Sequence, residues 1–575
     1  MPRLADLLPQ NNSSRALAAI ARKGRKASSK GRGKAAGRNE ASIAVPNFVA
    51  IDLETTGLEF RTDRITEIGL VKFVRGRAQE EYSSLVNPGM PIPQAVKDLT
   101  GINDETVANA PTLESILDNV LEFIGHDTLC GHQVDFDFNF LNAELKRRGR
   151  TKLNNPQLDT ASLSRLTLLD LPGYALGQVA LSQGITLTNA HRALDDARAS
   201  GELASVLIPK LAEITLETRR VLARFAPASA LKTILNNSID RRLNRPVTVA
   251  GATLPPPPPR LGIPQTPKKQ EYQKVVECFS GTGGLADVLE GYAPRKSQLT
   301  MATDVLKVLN ESGFLVAEAG TGTGKSLAYL IPAALWAKEN NTRVLVSTHT
   351  RNLQDQLVAK DLPVVGSLVG DLRYSVLKGR ANYLCRHRWH LLLSGKSGNL
   401  SPRERSGILP LIRWSEHTKT GDIEEQRLFN RKWFAKVWNL ISAQSHECLG
   451  RRCPMFGDCF LQHARRRALG SHIVVINHAL FFSEMCSESS FLGRIGSIIF
   501  DEAHHLESSG HRHLRTELDT AGMTRYLDFL GNLLKRLGKE SDSERRRGAA
   551  AAYKTALKRL RKESDLFLRD LSAWV

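Results

Sequence analysis

The chain has 575 residues, several times the roughly 100 to 200 residues of one domain, so two or three folded units are expected. Its 79 Lys and Arg against 59 Asp and Glu give a formal charge of +20, which favours polyanionic partners such as nucleic acid. Seven cysteines with no C-x-x-C pair are too few for a disulfide framework and indicate a reducing cytosol. No run approaches the 18 apolar residues of a membrane span, and the N-terminus lacks a secretory core, so a soluble protein is expected.

The first 45 residues carry ten Lys or Arg and only Asp6 and Glu40 as acids, among Ser, Gly and Ala that cannot build a core. They read as a disordered basic tail. From residue 46 to about 210, β-rich runs (Phe48 to Leu53, Ile65 to Phe73) alternate with helical patterns (Leu113 to Ile124, Ala193 to Leu207), as in one α/β domain. Residues 211–285 read as a helical, basic and then Pro-rich linker, with a boundary at the polyproline run Pro255 to Pro259. A second α/β pattern fills 286–575, with apolar strands expected at Phe314 to Ala317, Val344 to Ser347, Ile473 to Ile476 and Ile498 to Phe500. The long gap between the second and third of these implies an inserted module, at 378–470.

Val49-Ala-Ile-Asp-Leu-Glu-Thr-Thr-Gly57 sets Asp52 and Glu54 two apart on a strand, so both carboxylates share one face and can hold a divalent metal. Asp137 follows on a helix start, and His191 precedes Asp196 by five residues. These blocks, D-x-E, F-D-x-x-F-L and H-x-x-x-x-D, resemble those of the DnaQ-like, DEDDh-type exonucleases, which have an RNase H-like fold. The resemblance implies that Asp52, Glu54, Asp137 and Asp196 hold Mg²⁺ or Mn²⁺ for an in-line displacement, with His191 as general base. An imidazole suits that role because it titrates near neutral pH. Asp135 and Asp195 lie off the pattern, and Gln133 stands where the family usually has Asn, an amide kept as an amide.

Phe314-Leu-Val-Ala-Glu-Ala-Gly-Thr-Gly-Thr-Gly-Lys-Ser326 reads as a strand, a Gly-rich loop and a helix start, the pattern of a P-loop. Gly320, Thr321, Gly322, Thr323 and Gly324 would wrap phosphate oxygens, with Lys325 on the β and γ phosphates and Ser326 on Mg²⁺. Ser497-Ile-Ile-Phe-Asp-Glu-Ala-His504 ends a strand in adjacent acids, so that Asp501 would hold Mg²⁺ and Glu502 would polarise the hydrolytic water. Both boxes resemble superfamily 2 helicases. Tyr292-Ala-Pro-Arg-Lys-Ser-Gln-Leu-Thr-Met301 narrows the resemblance to the DinG and XPD group, in which Gln298 would read adenine with Arg295 beside it. Ser347-Thr-His-Thr-Arg-Asn-Leu-Gln-Asp-Gln-Leu357 resembles that group's motif Ia, which grips the single-strand backbone without reading sequence.

Cys385, at the end of Lys378-Gly-Arg-Ala-Asn-Tyr-Leu-Cys385, is followed by Cys448, Cys453 and Cys459. Four thiolates can hold Zn²⁺ or a [4Fe–4S] cluster, and spacing alone leaves both open. The resemblance to the iron–sulfur helicases implies the cluster at these four positions. Arg380, Tyr383, Arg386, Arg388, Trp389 and Arg465 to Arg467 could line a path for single-stranded DNA by charge and stacking. Cys130, Cys278 and Cys486 are assigned no role.

Taken together, the expected protein is a multidomain α/β DNA-repair or replication enzyme. It joins a 3′→5′ exonuclease to the ATP-binding half of a 5′→3′ helicase, acts on single-stranded or forked DNA, and lies in the cytoplasm with the nucleoid. Only 71 residues follow the D-E-A-H box, fewer than a second RecA-like domain needs. The segment 511–575, helical in pattern and highly charged, resembles the start of the arch insertion that follows this box in the family, and unwinding would then need a second helicase half from a separately encoded chain. Two rival expectations are an exonuclease with an ATP-gated DNA clamp that unwinds nothing, and a non-catalytic DNA-binding scaffold.

Overall fold

Strand and helix patterns of the N-terminal segment form as the periodicity predicts. In the computed structural model the described residues are 43–575 except 170, 240–250, 321, 396–399, 427–428, 446, 487–490, 515–521, 525, 529, 532–543 and 575. The basic tail, except for its last three residues, lies outside them; Ile43 already belongs to the core.

Strands β1 (Phe48–Thr55), β2 (Ile65–Val74), β3 (Arg77–Leu85), β4 (Thr128–Gly131) and β5 (Gln157–Asp159) make a mixed sheet in the order β3-β2-β1-β4-β5. The β1–β2 and β2–β3 pairs are antiparallel; β1–β4 and β4–β5 are parallel. Helix α1 (Leu113–Ile124) buries Leu113, Ile116, Leu117, Val120 and Ile124, a helical stripe that gives it one core-facing side. Helices α2 (Asp135–Arg147), α3 (Thr160–Thr167) and α4 (Ala193–Lys210) follow.

Helix α4 lies close on the sheet because its contact residues are small. A Cβ at Gly201 would sit 2.1 Å from the Phe73 ring, and one at Gly69 of β2 would sit 2.2 Å from the backbone carbonyl carbon of Ala193. Two glycines thus bring the start of α4, with Asp196, against the strand that pairs with β1.

Residues 211–285, expected as a helical and Pro-rich linker, are folded at both ends, the later one through the helix Tyr272–Cys278, which buries Val275. Helices α5 (Leu216–Phe225) and α6 (Ala230–Asn237) bury Val221, Leu222, Leu231, Ile234 and Leu235 in the same core as the sheet. Their amphipathic spacing shows an apolar face, and only the tertiary structure shows what covers it. The proline run has no regular secondary structure, and the chain divides into two compact units at Pro258/Pro259.

The second unit comprises 259–378 and 468–575. After the short helices Tyr272–Cys278 and Leu285–Val288 it continues with α7 (Lys296–Glu311), α8 (Lys325–Glu339), β6 (Val344–Thr348) and β7 (Tyr374–Val376). The chain then returns to the first unit through α9 (Arg386–Leu393), α10 (Pro402–His417), α11 (Ala435–Ile441) and α12 (Phe460–Leu469). The cysteine-bearing segment, expected as an insertion of the ATP-binding region, therefore packs with the N-terminal unit. Its Trp389, Leu411, Trp438 and Phe460 join the core that holds Leu163 and Leu207. Polar contacts back this: the Arg413 guanidinium donates to the Leu166 carbonyl at 3.0 Å, Arg224 to that of Leu393 at 2.9 Å, and Thr218 to Glu416.

Strands β8 (Ile473–Asn477) and β9 (Ser497–Phe500) complete a parallel sheet in the order β7-β8-β6-β9. The strand expected at Phe314 to Ala317 is absent: those residues carry no strand, and Phe314 and Val316 are 90% and 82% exposed. An apolar run becomes a strand only where a partner offers hydrogen bonds and a covered face. Beyond β6 the sheet edge is β9, whose four residues are all only half-buried. At the C-terminal end, Leu506–Leu514 and Glu544–Trp574 are helical.

Candidate active site

Cross-strand register places the first two carboxylates. Asp52 of β1 faces Gly69 of β2, and Glu54 faces Glu67. Asp137, in the first turn of α2, is 4% exposed and accepts the Leu53 N–H at 3.0 Å, which fixes it between the two β1 acids. Asp196, in the first turn of α4, accepts the His191 N–H at 3.2 Å. Its other carboxylate oxygen is buried without a hydrogen-bond partner.

The four sequence-predicted acids and His191 therefore meet in one place. Glu54, His191 and Asp196 bring ligand atoms within 4.8 Å of one another, the one group of this kind among the described residues. Burial above all, with repulsion from neighbouring carboxylates, pushes the acids up: Asp52 well above the usual carboxylate range, Glu54 and Asp137 to about 8, and Asp196 to about 6. For Asp52 the repelling charges are Asp137, Asp196, Glu54 and Glu67. Crowded, desolvated acids beside an orphaned carboxylate oxygen make a donor set suited to hard divalent cations.

Two residues at this site escaped the sequence reading. Glu67 is buried, and both its oxygens are engaged: one accepts from Arg192 Nη2 at 2.7 Å and Nε at 3.2 Å, the other from Arg192 Nε at 3.1 Å and the Ala193 N–H at 3.1 Å. The signal was an acid at an interior position of the apolar strand Ile-Thr-Glu-Ile-Gly-Leu-Val. Arg192 sits between His191 and the start of α4. Near the second block, Gln133 has a left-handed backbone (φ 66°), and its N–H donates to Asp159 at 2.8 Å. The bystander Asp195 accepts from Asn189 at 2.9 Å.

In the second unit, α8 starts at Lys325 with Gly324 in the left-handed region (φ 79°), as a P-loop requires. Gln298 is buried and donates to the Gly324 carbonyl at 3.0 Å, and Arg295 donates to that of Gly322. Both residues thus brace the loop backbone. Thr323 donates to the Gly320 carbonyl at 2.8 Å; Thr321 lies outside the described residues. The Lys325 ammonium pairs with Glu502 at 3.3 Å, and Tyr329, one turn beyond Lys325, donates to Asp501 at 3.2 Å. Ser326 opens the helix beside Lys325. The D-E-A-H acids thus meet the P-loop helix, and Tyr329 is a contact the motifs did not announce.

In the cysteine segment, Cys385 and Cys459 each stand immediately before a helix, α9 and α12. Burial pushes both thiols up, while the amides of Arg388 and His387 favour the Cys385 thiolate and those of Gln462 and Leu461 favour that of Cys459. Cys385 feels Cys459 and Cys453, and Cys459 feels Cys448 and Cys453, so the four lie in one neighbourhood.

Residues 49–204 match the family described as Exonuclease, and residues 297–382 match DEAD/DEAH box helicase. Among curated proteins, the chain is 28% identical over 477 residues to the 3′-5′ exonuclease DinG of Bacillus subtilis, covering 81% of this chain and 50% of that protein. It is 38% identical over 255 residues to the ATP-dependent DNA helicase YoaA of Escherichia coli, covering 43% of this chain and 38% of that one. The chain is a homologue of the DinG and YoaA proteins. It spans about half the length of the first of these relatives. A solved structure of Exonuclease X with 5′ overhanging duplex DNA is 23% identical and covers 28% of this chain and 90% of that one, with a TM-score of 0.24. No helix among the described residues is long and apolar enough to cross a membrane.

Proposed function

We propose that this protein combines a metal-dependent 3′→5′ exonuclease in its first unit with an ATP-dependent 5′→3′ DNA helicase motor that includes its second. The observation that carries the reading is the convergence of Asp52, Glu54, Asp137, His191 and Asp196 from β1, α2 and the start of α4 onto one acidic site. Asp52, Glu54, Asp137 and Asp196 would hold Mg²⁺ or Mn²⁺, which when bound supplies charge for the attacking water and the leaving 3′ oxygen. His191, exposed at the rim, takes the proton from that water. The fold holds these carboxylates together against their own repulsion and desolvation, which a bound cation would relieve.

In the second unit Lys325 exchanges its Glu502 partner for nucleotide phosphates, which frees Glu502 to act on the hydrolytic water. Asp501 would hold Mg²⁺ and Arg295 and Gln298 the base side of the nucleotide. The residues described form one wall of such a site; a second lobe, in the same protein or another chain, is the proposed partner. In the first unit Cys385, Cys448, Cys453 and Cys459 would hold a [4Fe–4S] cluster, a reading supported by paired helix-start amides aimed at two of the sulfurs. Single-stranded or forked DNA is the proposed substrate, and the nucleoid the proposed site of action.

The test is digestion of 3′- and 5′-labelled single strands and forks, with and without Mg²⁺ and ATP. Asp52→Ala is expected to abolish digestion and keep nucleotide binding, and Lys325→Ala the reverse. Digestion that survives Asp52→Ala would refute the metal site; digestion without ATP-driven unwinding by the complete motor would leave an ATP-gated clamp. Stoichiometric zinc in place of iron would overturn the cluster.

A further inference from the structure

We infer that Glu67 and Arg192 are positioning residues of the exonuclease: the clamp between them sets the conformation of His191 at the mouth of the site. The inference rests on the exonuclease reading above. His191 holds a left-handed backbone, with φ at 65°, a region that costs a side-chain-bearing residue energy and persists only where its neighbours fix it. Two anchors do so. On the C-terminal side, the Asp196 carboxylate accepts the His191 N–H. Next in the chain, Arg192 is tied by both Nε and Nη2 to Glu67, 125 residues away, and the same carboxylate caps the Ala193 N–H at the start of α4.

Glu67 is suited to this and to little else. It stands opposite Glu54 in the sheet register and so faces the acidic site, yet both its oxygens accept hydrogen bonds from Arg192 and Ala193. A carboxylate so engaged is an orienter and not a spare cation ligand. Gly69, two residues on along β2, lets the Ala193 backbone approach within the space a methyl group would fill, so the clamp joins surfaces already in contact. Arg192 brings a planar fork that matches a carboxylate on two points, which a lysine cannot copy. Its side chain is 48% exposed, so it can be replaced without opening the core.

The test uses the full chain with Mn²⁺ and a 3′-labelled single strand. Arg192→Gln is expected to lower kcat about 10- to 100-fold, the range of outer-partner losses, with KM nearly unchanged and a lower melting temperature because the buried Glu67 loses its counter-charge. Arg192→Lys should fall between it and the parent. Glu67→Gln should lower kcat similarly, and the double variant should be no slower than the slower single one, because both remove one clamp. Additive losses, or a raised KM with kcat retained, would overturn the inference and make Arg192 a direct DNA contact. Parent protein that digests nothing would instead count against the exonuclease reading, and a Glu67→Gln chain that fails to fold leaves the exposed Arg192 series to decide.

Discussion

At the scale of single residues the acidic site stores repulsion that a cation relieves. Glu54 and Asp137 reach about 8 and Asp196 about 6, all above the ordinary carboxylate range. The folded chain therefore keeps protons that the unfolded chain releases from about pH 4 upward, so this contribution to stability is lost as pH rises toward 8. Without metal, the melting temperature of the first unit is expected to fall across that window. A fixed Mn²⁺ concentration equal to 100 times its dissociation constant at pH 8 adds about 2.7 kcal/mol there, so the melting temperature should rise by several degrees, and by less at pH 6, where protons compete for the same carboxylates. Thermal melts across pH with chelator or Mn²⁺ check this, and a metal-free curve that rises with pH would contradict it. The same residues explain why sequence blocks sufficed to find the acids but not their clamp. Asp52, Glu54, Asp137, His191 and Asp196 each sit in a recognisable local pattern, whereas Glu67 is one acid in an apolar strand whose partner only folding supplies.

At the scale of elements, the site depends on how closely α4 approaches β2. Gly69→Ala would put a methyl group against the backbone of Ala193 and Leu194, atoms that cannot step aside as a flexible side chain could. Helix α4 must then lift, and Asp196 with it. We expect a loss of about 1 to 3 kcal/mol in stability and a larger proportional loss of digestion, read from melting and from labelled strands. Unchanged digestion would mean that the start of α4 tolerates displacement. The P-loop shows a similar dependence in the second unit. A Cβ at Gly324 would meet the Gln298 amide at 2.2 Å, so the loop glycine and the brace residue fit only as a pair.

At the scale of the whole molecule, the proposed exonuclease site and the proposed nucleotide site fall in different units, and the chain passes between the units three times. One core of the first unit, on one side of its sheet, runs from Phe48 and Leu207 through α5 and α6 to Trp414 and Phe460. The exonuclease segment and the cysteine segment are thus expected to melt together, and the P-loop unit separately. Calorimetry should resolve two transitions, of which Mn²⁺ raises one and ATP the other. Arg413→Ala, which removes the hydrogen bond to the Leu166 carbonyl, should lower only the transition that Mn²⁺ raises. A cysteine segment that unfolds independently of the exonuclease would contradict the shared core.

The sequence by itself determined whatever is local: the period of β1, β2, α1 and α4, the carboxylate and histidine spacing, the glycines and lysine of the nucleotide loop, and the proline run at the division of the units. These follow from side-chain alternation, helical repeat and backbone freedom over a few residues. Tertiary structure alone decided what depends on a distant partner. It joined Arg192 to Glu67 across 125 residues, Thr218 to Glu416 across 198 and Arg413 to Leu166 across 247. It turned part of an expected linker into core helices, and it left Phe314 to Ala317 without the neighbouring strand that an apolar pattern cannot itself provide. Apolar character states that a surface should be covered, and only the folded chain determines by what.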